Sequence, residues 1–139
     1  MPDVYGEAYY HFIWATTRRE EMIVPRMESL LYTYIRQKCH EKGAFVYAVG
    51  GMEDHLHLVC SLPPSIAVSD FVKIIKGSSS HYINHDAQGN PLRWQRGYAY
   101  LTFAGHDLAA VVGYVENQKA RHATGKLWPK LEQLPETGD

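Results

Sequence analysis

Apolar positions in the first third of the chain follow two different periods, which predict one strand and one helix. Residues 7–17 (EAYYHFIWATT) are dense in aromatic and β-branched side chains, which favour a pleated, half-buried strand. Pro25 stands where the first turn of a helix tolerates proline, and apolar residues then recur at helical spacing until Gly43. The pattern therefore predicts a strand followed by an amphipathic helix.

The middle of the chain predicts a β-hairpin and a second helix. Residues 44–49 (AFVYAV) and 55–62 (HLHLVCSL) have the composition of strands, and Gly50-Gly51 with the polar residues after them is typical of a turn or bulge. Pro63-Pro64 ends the second of these strands because proline cannot continue a sheet. Ser69-Asp70 then opens a helix with one apolar side.

The last third of the chain predicts a loop, a strand and a final helix. Residues 86–90 are polar and contain glycine, as expected of a loop, and residues 97–103 (GYAYLTF) alternate as a fourth strand does. Asp107 can cap a helix that continues to Thr124. The tail after about residue 127 is polar enough to be mobile.

The predicted elements follow the order strand, helix, strand, strand, helix, strand and a further helix. This order is the split βαβ pattern of a ferredoxin-like βαββαβ sandwich, an α+β fold with an antiparallel sheet and two helices on one face. At 139 residues the chain fits one domain, residues 1–139. The additional C-terminal helix is not needed to complete the sandwich and is free to carry a function.

Composition limits the classes of partner. The chain has 14 Lys and Arg against 15 Asp and Glu, which argues against a protein that coats duplex DNA but allows a local basic groove. No apolar run could span a bilayer and the N-terminus lacks a signal-peptide pattern, so we expect a cytoplasmic protein without a membrane partner. Cys39 and Cys60 lack paired spacing and are expected to be buried thiols.

A histidine pair on the third predicted strand is the first candidate for chemistry. His55 and His57 are two residues apart, so they project from the same face while Leu56 turns into the core. Two imidazoles on a rigid strand can chelate one divalent metal. Asp54, immediately before them, could orient one of these ligands. The same pattern also fits a half-exposed strand without a metal. A hydrolase of the histidine-triad kind is disfavoured, since Val59 stands where a third histidine is expected.

The final helix carries the second candidate. Tyr114 and Gln118 are four residues apart and so lie on one helical face. A tyrosine hydroxyl becomes a useful nucleophile when a metal polarises its target, and the Gln118 oxygen could complete the metal site. The alternative is that Tyr114 only packs, since the chain has ten tyrosines.

Several basic and aromatic residues are candidates for nucleic-acid contact. Trp94 and Tyr98 could stack on exposed bases, although Trp94 could equally anchor the core or a dimer interface. His122 could face a phosphate, but a role at the C-terminal end of its helix is favoured. The basic candidates for DNA contact are Lys73, Lys76, Arg93, Arg96, Lys119 and Arg121.

Four motifs in this order resemble the single-tyrosine HUH transposases, which include the transposases of small single-strand insertion sequences and their REP-associated relatives. The motifs are DHLHLV, LPPSIAVSDFVKIIKGSSS, WQRGYA and YVENQ. The similarity extends from about Tyr9 to about His122, so it covers most of the chain.

The resemblance implies a ferredoxin-like core and assigns a role to each matching residue. His55, His57 and Gln118 would ligate Mg²⁺ or Mn²⁺, and Tyr114 would attack the DNA backbone to form a 5′-phosphotyrosine link. The implied partners are single-stranded DNA with a hairpin and a second copy of the chain in a homodimer. Three alternatives remain: a non-catalytic hairpin-binding module, a metal-dependent hydrolase that uses water, and a transposase domesticated by its host.

Overall fold

The computed structural model describes residues 3–87 and 91–136, so residues 88–90 of the predicted loop lie outside the described residues. The strands are β1 (Tyr9–Ala15), β2 (Phe45–Met52), β3 (His55–Ser61) and β4 (Ala99–Phe103). The helices are α1 (Pro25–Glu41), α2 (Val68–His81), α3 (Leu108–Glu116), α4 (Gln118–Thr124) and α5 (Pro129–Glu132). Single turns Thr17–Arg19, Tyr82–Asp86 and Gly105–Asp107 connect some of these elements.

The four strands form one antiparallel sheet in the order β2-β3-β1-β4. Strand β1 lies at its centre, where Phe12 pairs with Leu58 of β3 on one side and Tyr100 of β4 on the other. With α1 and α2 as the two crossover connections, this order is that of a ferredoxin-like βαββαβ sandwich. The predicted α+β fold is confirmed.

One face of the sheet is covered by α1 and α2, which form the larger core. Alternate positions of β1 and β3 supply its floor, and both cysteines lie in it as buried thiols. The fully buried members of this core include Phe12, Trp14, Leu56, Leu58, Leu31, Ile35, Phe71 and Ile75.

The opposite face of the sheet is covered by the C-terminal helices, so β3 is buried on both faces. Ala48 and Val59 of the sheet pack against Val111 and Val115 of α3 and against Leu131 of α5. The histidine pair of β3 lies on this second face, opposite the leucines, as the strand period predicts. This face is not solvent-exposed, which makes the molecule a three-layer structure.

The turn predicted for Gly50-Gly51 and the polar residues after them lies on the polar residues Glu53 and Asp54, whereas both glycines lie within β2. Glycine at these two positions leaves room for neighbouring backbone atoms to approach closely. A Cβ at Gly50 would lie 2.1 Å from the Val115 carbonyl oxygen of α3, and one at Gly51 would lie 2.2 Å from the carbonyl oxygen of His55 in the neighbouring strand β3. Glycine at position 50 therefore allows α3 to pack directly on the backbone of the sheet.

The prediction of one continuous final helix is also wrong, because the helix breaks at Asn117. This residue has φ −106° and ψ 26°, and it separates α3 from α4. Its side-chain amide donates to the carbonyl oxygen of Gly113 at 2.7 Å, a local bond that competes with continued helix. The two candidate residues Tyr114 and Gln118 thus stand on either side of a break.

The polarity of the tail gave no indication of an element, yet the tail contains α5. Gly125 takes a left-handed conformation (φ 70°) that reverses the chain after α4, and Leu131 then packs into the second core. In the part of the chain that the structure describes, no helix is long and apolar enough to cross a membrane.

We expect Gly50→Ala to destabilise the protein, since its new methyl group would force α3 away from β2. Overpacking of this kind lowers the free energy of unfolding by about 1–3 kcal/mol. Gly113→Ala is the matched control, because a Cβ there meets no described atom within 4 Å outside the backbone of α3. It should raise the free energy of unfolding by about 0.5–1 kcal/mol. Urea unfolding of both variants checks the prediction, and equal effects would contradict it.

Candidate active site

The histidine pair lies at the start of β3 with both rings turned towards the C-terminal helices. His55 and His57 are each about 1% exposed or less, and their ring centroids are 5.1 Å apart. The Nε2 atom of each ring lies 3.4 Å from Oε1 of Glu132. The Nε2 atom of His57 finds no hydrogen-bond partner among residues 3–87 and 91–136.

The break in the final helix brings Gln118 to this pair. Gln118 is the first residue of α4 and is 2% exposed. Its Oε1 lies 3.2 Å from Nε2 of His55 and 3.0 Å from Nε2 of His122. The structure therefore brings together three residues predicted as ligands, although they come from two elements that are 61 or more residues apart in sequence.

His122 faces the same site, contrary to the favoured role at the helix end. It lies in the last turn of α4, but its ring packs against that of His55 with centroids 5.1 Å apart. Its Nε2 is 3.7 Å from Oε1 of Glu132. Burial lowers the pKa of His122 and outweighs the opposing effect of the Glu132 carboxylate, which keeps the ring neutral and able to act as a ligand.

Glu132 is the residue of this site that sequence reasoning missed. Its Oε2 accepts hydrogen bonds from the Tyr114 hydroxyl and from Nε2 of Gln118, the latter at 3.2 Å. Burial would raise the pKa of this carboxyl, but its contacts with His55 and His57 lower it well below the ordinary range. The sequence around Glu132 contains no motif that identifies it as a site residue, because its position depends on the chain reversal that follows α4.

The Tyr114 hydroxyl is enclosed in this structure. Besides donating to Glu132, it accepts the backbone N–H of Trp128 at 3.1 Å, and the two rings stack with centroids 4.7 Å apart. The guanidinium of Arg121 lies 5.3 Å from the centroid of each ring. Burial and the Glu132 carboxylate raise the pKa of Tyr114 to about 12, so the phenol is protonated at neutral pH.

Asp54 contacts His55 on the side of the ring away from Glu132. Its Oδ1 lies 2.7 Å from Nδ1 of His55, and its Oδ2 accepts from Nε of Arg19 at 3.1 Å. Burial would raise the pKa of Asp54, but the bonds from His55 and Arg19 lower it to about 2. Burial likewise would lower the pKa of His55, and the carboxylates of Asp54 and Glu132 raise it to about 8.

His11 of β1 is a second residue that the sequence did not reveal. Its Nε2 lies 2.7 Å from Nδ1 of His57, and both rings are buried. Burial, reinforced by His57, lowers the pKa of His11 to about 3. A hydrogen bond at Nδ1 fixes the orientation of a histidine ring, so His11 directs Nε2 of His57 towards Glu132.

The predicted basic residues divide into two groups. Lys76, Arg93 and Arg96 line an open groove of about 420 Å³ together with Arg18, which with Arg19 takes a left-handed conformation. Consecutive non-glycine residues in this conformation are strained and often mark functional turns.

The remaining basic candidates lie apart from that groove. Lys119 is engaged by the carboxylate of Glu28 at 2.9 Å and by the Gly51 carbonyl oxygen, and Arg121 covers the Tyr114 ring. Lys73 lies beside Asp70 on another part of α2. Contact with DNA through these three residues stays a prediction.

Trp94 is anchored in the fold. Its Nε1 donates to Oγ of Ser79 at 3.0 Å, and its ring meets that of Trp14 edge-on with centroids 5.9 Å apart. Tyr98 is half-buried against the larger core. These contacts favour the core-anchor interpretation of Trp94 over base stacking.

The donor set of this site suits a divalent cation. Imidazole nitrogens, an amide oxygen and a carboxylate oxygen converge, and atoms of His55, His122 and Glu132 all lie within 4.8 Å of one another. The buried Nε2 of His57 points into the same space. A cation there would satisfy a nitrogen that the described protein atoms leave without a hydrogen bond.

Known proteins are similar to this chain in sequence and in fold. The profile of the family described as "Transposase IS200 like" matches residues 4–118. The ISDra2 transposase TnpA of Deinococcus radiodurans is 30% identical over 116 residues, covering 78% of this chain and 82% of that protein. The transposase for insertion sequence element IS200 of Salmonella typhimurium is 24% identical over 123 residues, covering 84% of this chain and 80% of that protein.

Two solved structures share the fold. A Deinococcus radiodurans R1 protein assigned as a transposase superposes with a TM-score of 0.65 and 28% identity, covering 85% of this chain and 96% of that one. A REP-associated tyrosine transposase bound to a REP hairpin gives a TM-score of 0.61 with 16% identity, covering 100% of this chain and 93% of that one.

The low pKa of His11 predicts how stability depends on pH. The folded pKa of about 3 lies below the unfolded value of 6.5, so His11 contributes stability that is present above pH 6.5 and is lost as the pH falls towards 3. Between about pH 7 and about pH 5 this loss amounts to about 2 kcal/mol.

His11→Gln removes the titrating group and keeps an acceptor for His57. The fall in the free energy of unfolding between about pH 7 and about pH 5, measured by urea unfolding in EDTA, should shrink by about 2 kcal/mol. His40→Gln, at an exposed position, is the control and should leave the fall unchanged. An unchanged fall in His11→Gln would show that the buried ring is not the source.

Proposed function

Because the chain belongs to the IS200-like transposase family, we propose that it cleaves and rejoins single-stranded DNA at hairpin-containing ends through a 5′-phosphotyrosine link to Tyr114. The observation that carries the proposal is the convergence of the Tyr114 hydroxyl with the histidine pair, through Glu132 and Gln118. A nucleophile and a set of cation ligands thereby share one buried cluster.

Mg²⁺ or Mn²⁺ would be held by His55, His57 and Gln118. The unsatisfied Nε2 of His57 and the neighbouring Oε1 of Gln118 support this fit, because both are buried and face the same space. When bound, such a cation neutralises charge on the phosphate oxygens of the DNA. The identity of the ion, Mg²⁺ or Mn²⁺, and the homodimer implied by the family resemblance stay predictions.

Tyr114 supplies the nucleophilic oxygen. A bond forms between its phenolic oxygen and phosphorus, and the bond from phosphorus to the 3′ oxygen breaks. The phenolic proton leaves the tyrosine to solvent, and the departing 3′ oxygen takes up a proton from solvent and ends as a hydroxyl. Because the phosphodiester energy stays in the covalent link, a second 3′ hydroxyl can reverse the step without ATP.

The groove lined by Arg18 and Arg93 is the proposed path of the strand towards the site. One wall of the groove is hydrogen-bonded to the end of β1 and the residues after it. The backbone N–H of Thr17 donates to the Arg93 carbonyl oxygen at 2.9 Å, and that of Gln95 donates to the Ala15 carbonyl oxygen at 2.8 Å. Ala15 is the strand partner of His55. A phosphate backbone bound by these arginines would therefore run directly to the histidine pair.

One observation favours a second candidate, a hairpin-binding module without chemistry. Tyr114 is fully buried, and Trp128 and Glu132 cover its hydroxyl. Catalysis needs these residues to move away when DNA arrives, whereas a binding module does not. A metal-dependent hydrolase that uses water, with Tyr114 structural, would differ from both by turning over without a covalent adduct.

Tyr114→Phe should abolish covalent capture of DNA, since it removes the attacking oxygen and changes little else. The assay incubates labelled single-stranded DNA carrying hairpins with Mg²⁺ or Mn²⁺ and resolves the products on a denaturing gel. The wild-type chain should give a DNA-linked band that disappears in EDTA, and Tyr100→Phe, at an exposed position, should retain it. Binding without a band would favour the binding module, and repeated cleavage without a band would favour the hydrolase.

The double variant Arg18→Gln with Arg93→Gln should weaken binding of single-stranded DNA and flatten its salt dependence. Each phosphate contact on a single strand contributes about 0.7 to the slope of log K against log salt, so two lost contacts reduce the slope by about 1.4. Fluorescence anisotropy at several salt concentrations measures this slope. The double variant Arg36→Gln with Lys42→Gln, at two exposed positions, is the charge-matched control, and a groove variant with the slope of the wild type would exclude this path.

A further inference from the structure

The C-terminal segment, residues 126–132, supplies groups to the site although it lies beyond the part of the chain that matches the family profile. That match ends at Gln118. Glu132 has a side chain that is 16% exposed, and its two oxygens face different partners. Oε1 faces the histidine nitrogens, while Oε2 faces the Tyr114 hydroxyl and the amide of Gln118.

The spacing of the donor atoms is that of ligands sharing one ion. Protein ligands lie about 2.0–2.2 Å from small divalent cations, so two ligands of one ion are roughly 3.0–3.5 Å apart. Oε1 of Glu132 is 3.4 Å from Nε2 of both His55 and His57, and Oε1 of Gln118 is 3.2 Å from Nε2 of His55. The contact between His55 and Gln118 is also a hydrogen bond, but Nε2 of His57 makes none with Oε1 of Glu132 or any other described atom, and a positive charge between those two atoms would stabilise them.

We infer that Glu132 is an anionic ligand of the cation held by His55, His57 and Gln118 in the DNA-free protein, so that cation binding fastens the C-terminal segment over Tyr114. This inference rests on the cation site of the proposed function. The fully buried Nε2 of His57, without a hydrogen bond to any described residue, is the independent sign that the carboxylate faces a ligand position. The carboxylate also supplies the negative charge that the neutral ligands lack.

Cation affinity without DNA is the first test. Mn²⁺ is titrated into the full chain and free Mn²⁺ is followed by electron paramagnetic resonance. Glu132→Gln keeps the shape of the side chain and should weaken binding by about tenfold or more. Glu136→Gln, four residues further on at an exposed position, should bind as the wild type does. Equal or tighter binding by Glu132→Gln would overturn the inference, tighter binding indicating that the carboxylate blocks the site.

A ligand is distinguished from a nearby charge by the absorption spectrum of bound Co²⁺, whose visible bands report the coordinating atoms. At saturating Co²⁺, Glu132→Gln should shift these bands, whereas Glu136→Gln should leave them unchanged. A weakened affinity with an unshifted spectrum would assign Glu132 an electrostatic role only and would overturn its assignment as a ligand.

Trypsin digestion tests whether cation binding holds the C-terminal segment in place, because Lys126 and Lys130 are exposed cleavage sites within it. Mn²⁺ should slow cleavage there in the wild type and in Glu136→Gln, and this protection should be lost in Glu132→Gln. Circular dichroism checks that each variant folds. If Glu132→Gln does not fold, Glu132→Asp replaces it, and unchanged Mn²⁺ affinity in that shortened carboxylate overturns the inference.

Failure of this inference is distinguishable from failure of the proposed function. If the wild-type chain binds Mn²⁺ and forms the DNA adduct, and Glu132→Gln binds Mn²⁺ equally well, only the role of Glu132 as a ligand is excluded. If the wild-type chain binds no Mn²⁺, the cation site itself is excluded, and both proposals are excluded with it.

Discussion

The direct contact of α3 with the backbone of β2 at Gly50 is the constraint on which the site depends. Gly50 is the strand partner of His57, and the carbonyl oxygen of Val115 occupies the space that a side chain at position 50 would need. Tyr114 is the neighbour of Val115 in α3, so this contact sets the distance between the helix and the histidine strand. A larger residue at position 50 would separate nucleophile and ligands while leaving each intact.

Burial of the histidines then determines the electrostatics of the cluster. Removing imidazoles from water favours their neutral form, which is the form that ligates metals, and this effect prevails at His57 and His11. At His55 it is outweighed by Asp54 and Glu132, which supply the local negative charge. A nearly neutral chain therefore concentrates its charge locally, with carboxylates beside the histidines and arginines along the adjacent groove.

The parts of the fold that could be predicted from the sequence are those set by short-range patterns. The period of two placed His55 and His57 on one face of β3. Tyr114 and Gln118 do meet at one site, but the continuous helix predicted to carry both breaks at Asn117. The predictions that failed depended on contacts between residues distant in sequence. Gly50 is a residue type common in turns, and its place within β2 is explained only by the packing of α3 against it. His11 and Glu132 meet the pair from 46 and about 75 residues away, and a lone histidine in a strand or a lone glutamate in a polar tail carries no local signal.

The cover over Tyr114 is the part of the structure that can open most readily. Helix α5 is a single turn, too short to be stable by its own hydrogen bonds, so it is held by its tertiary contacts. These contacts include Leu131 in the second core, the Glu132 carboxylate beside the histidines of β3 and, just before α5, the Trp128 ring on Tyr114. The larger core on the other face of the sheet contains none of these residues, so the segment can leave without opening that core. A buried nucleophile is thus compatible with a reaction on DNA, because exposing it requires only local opening.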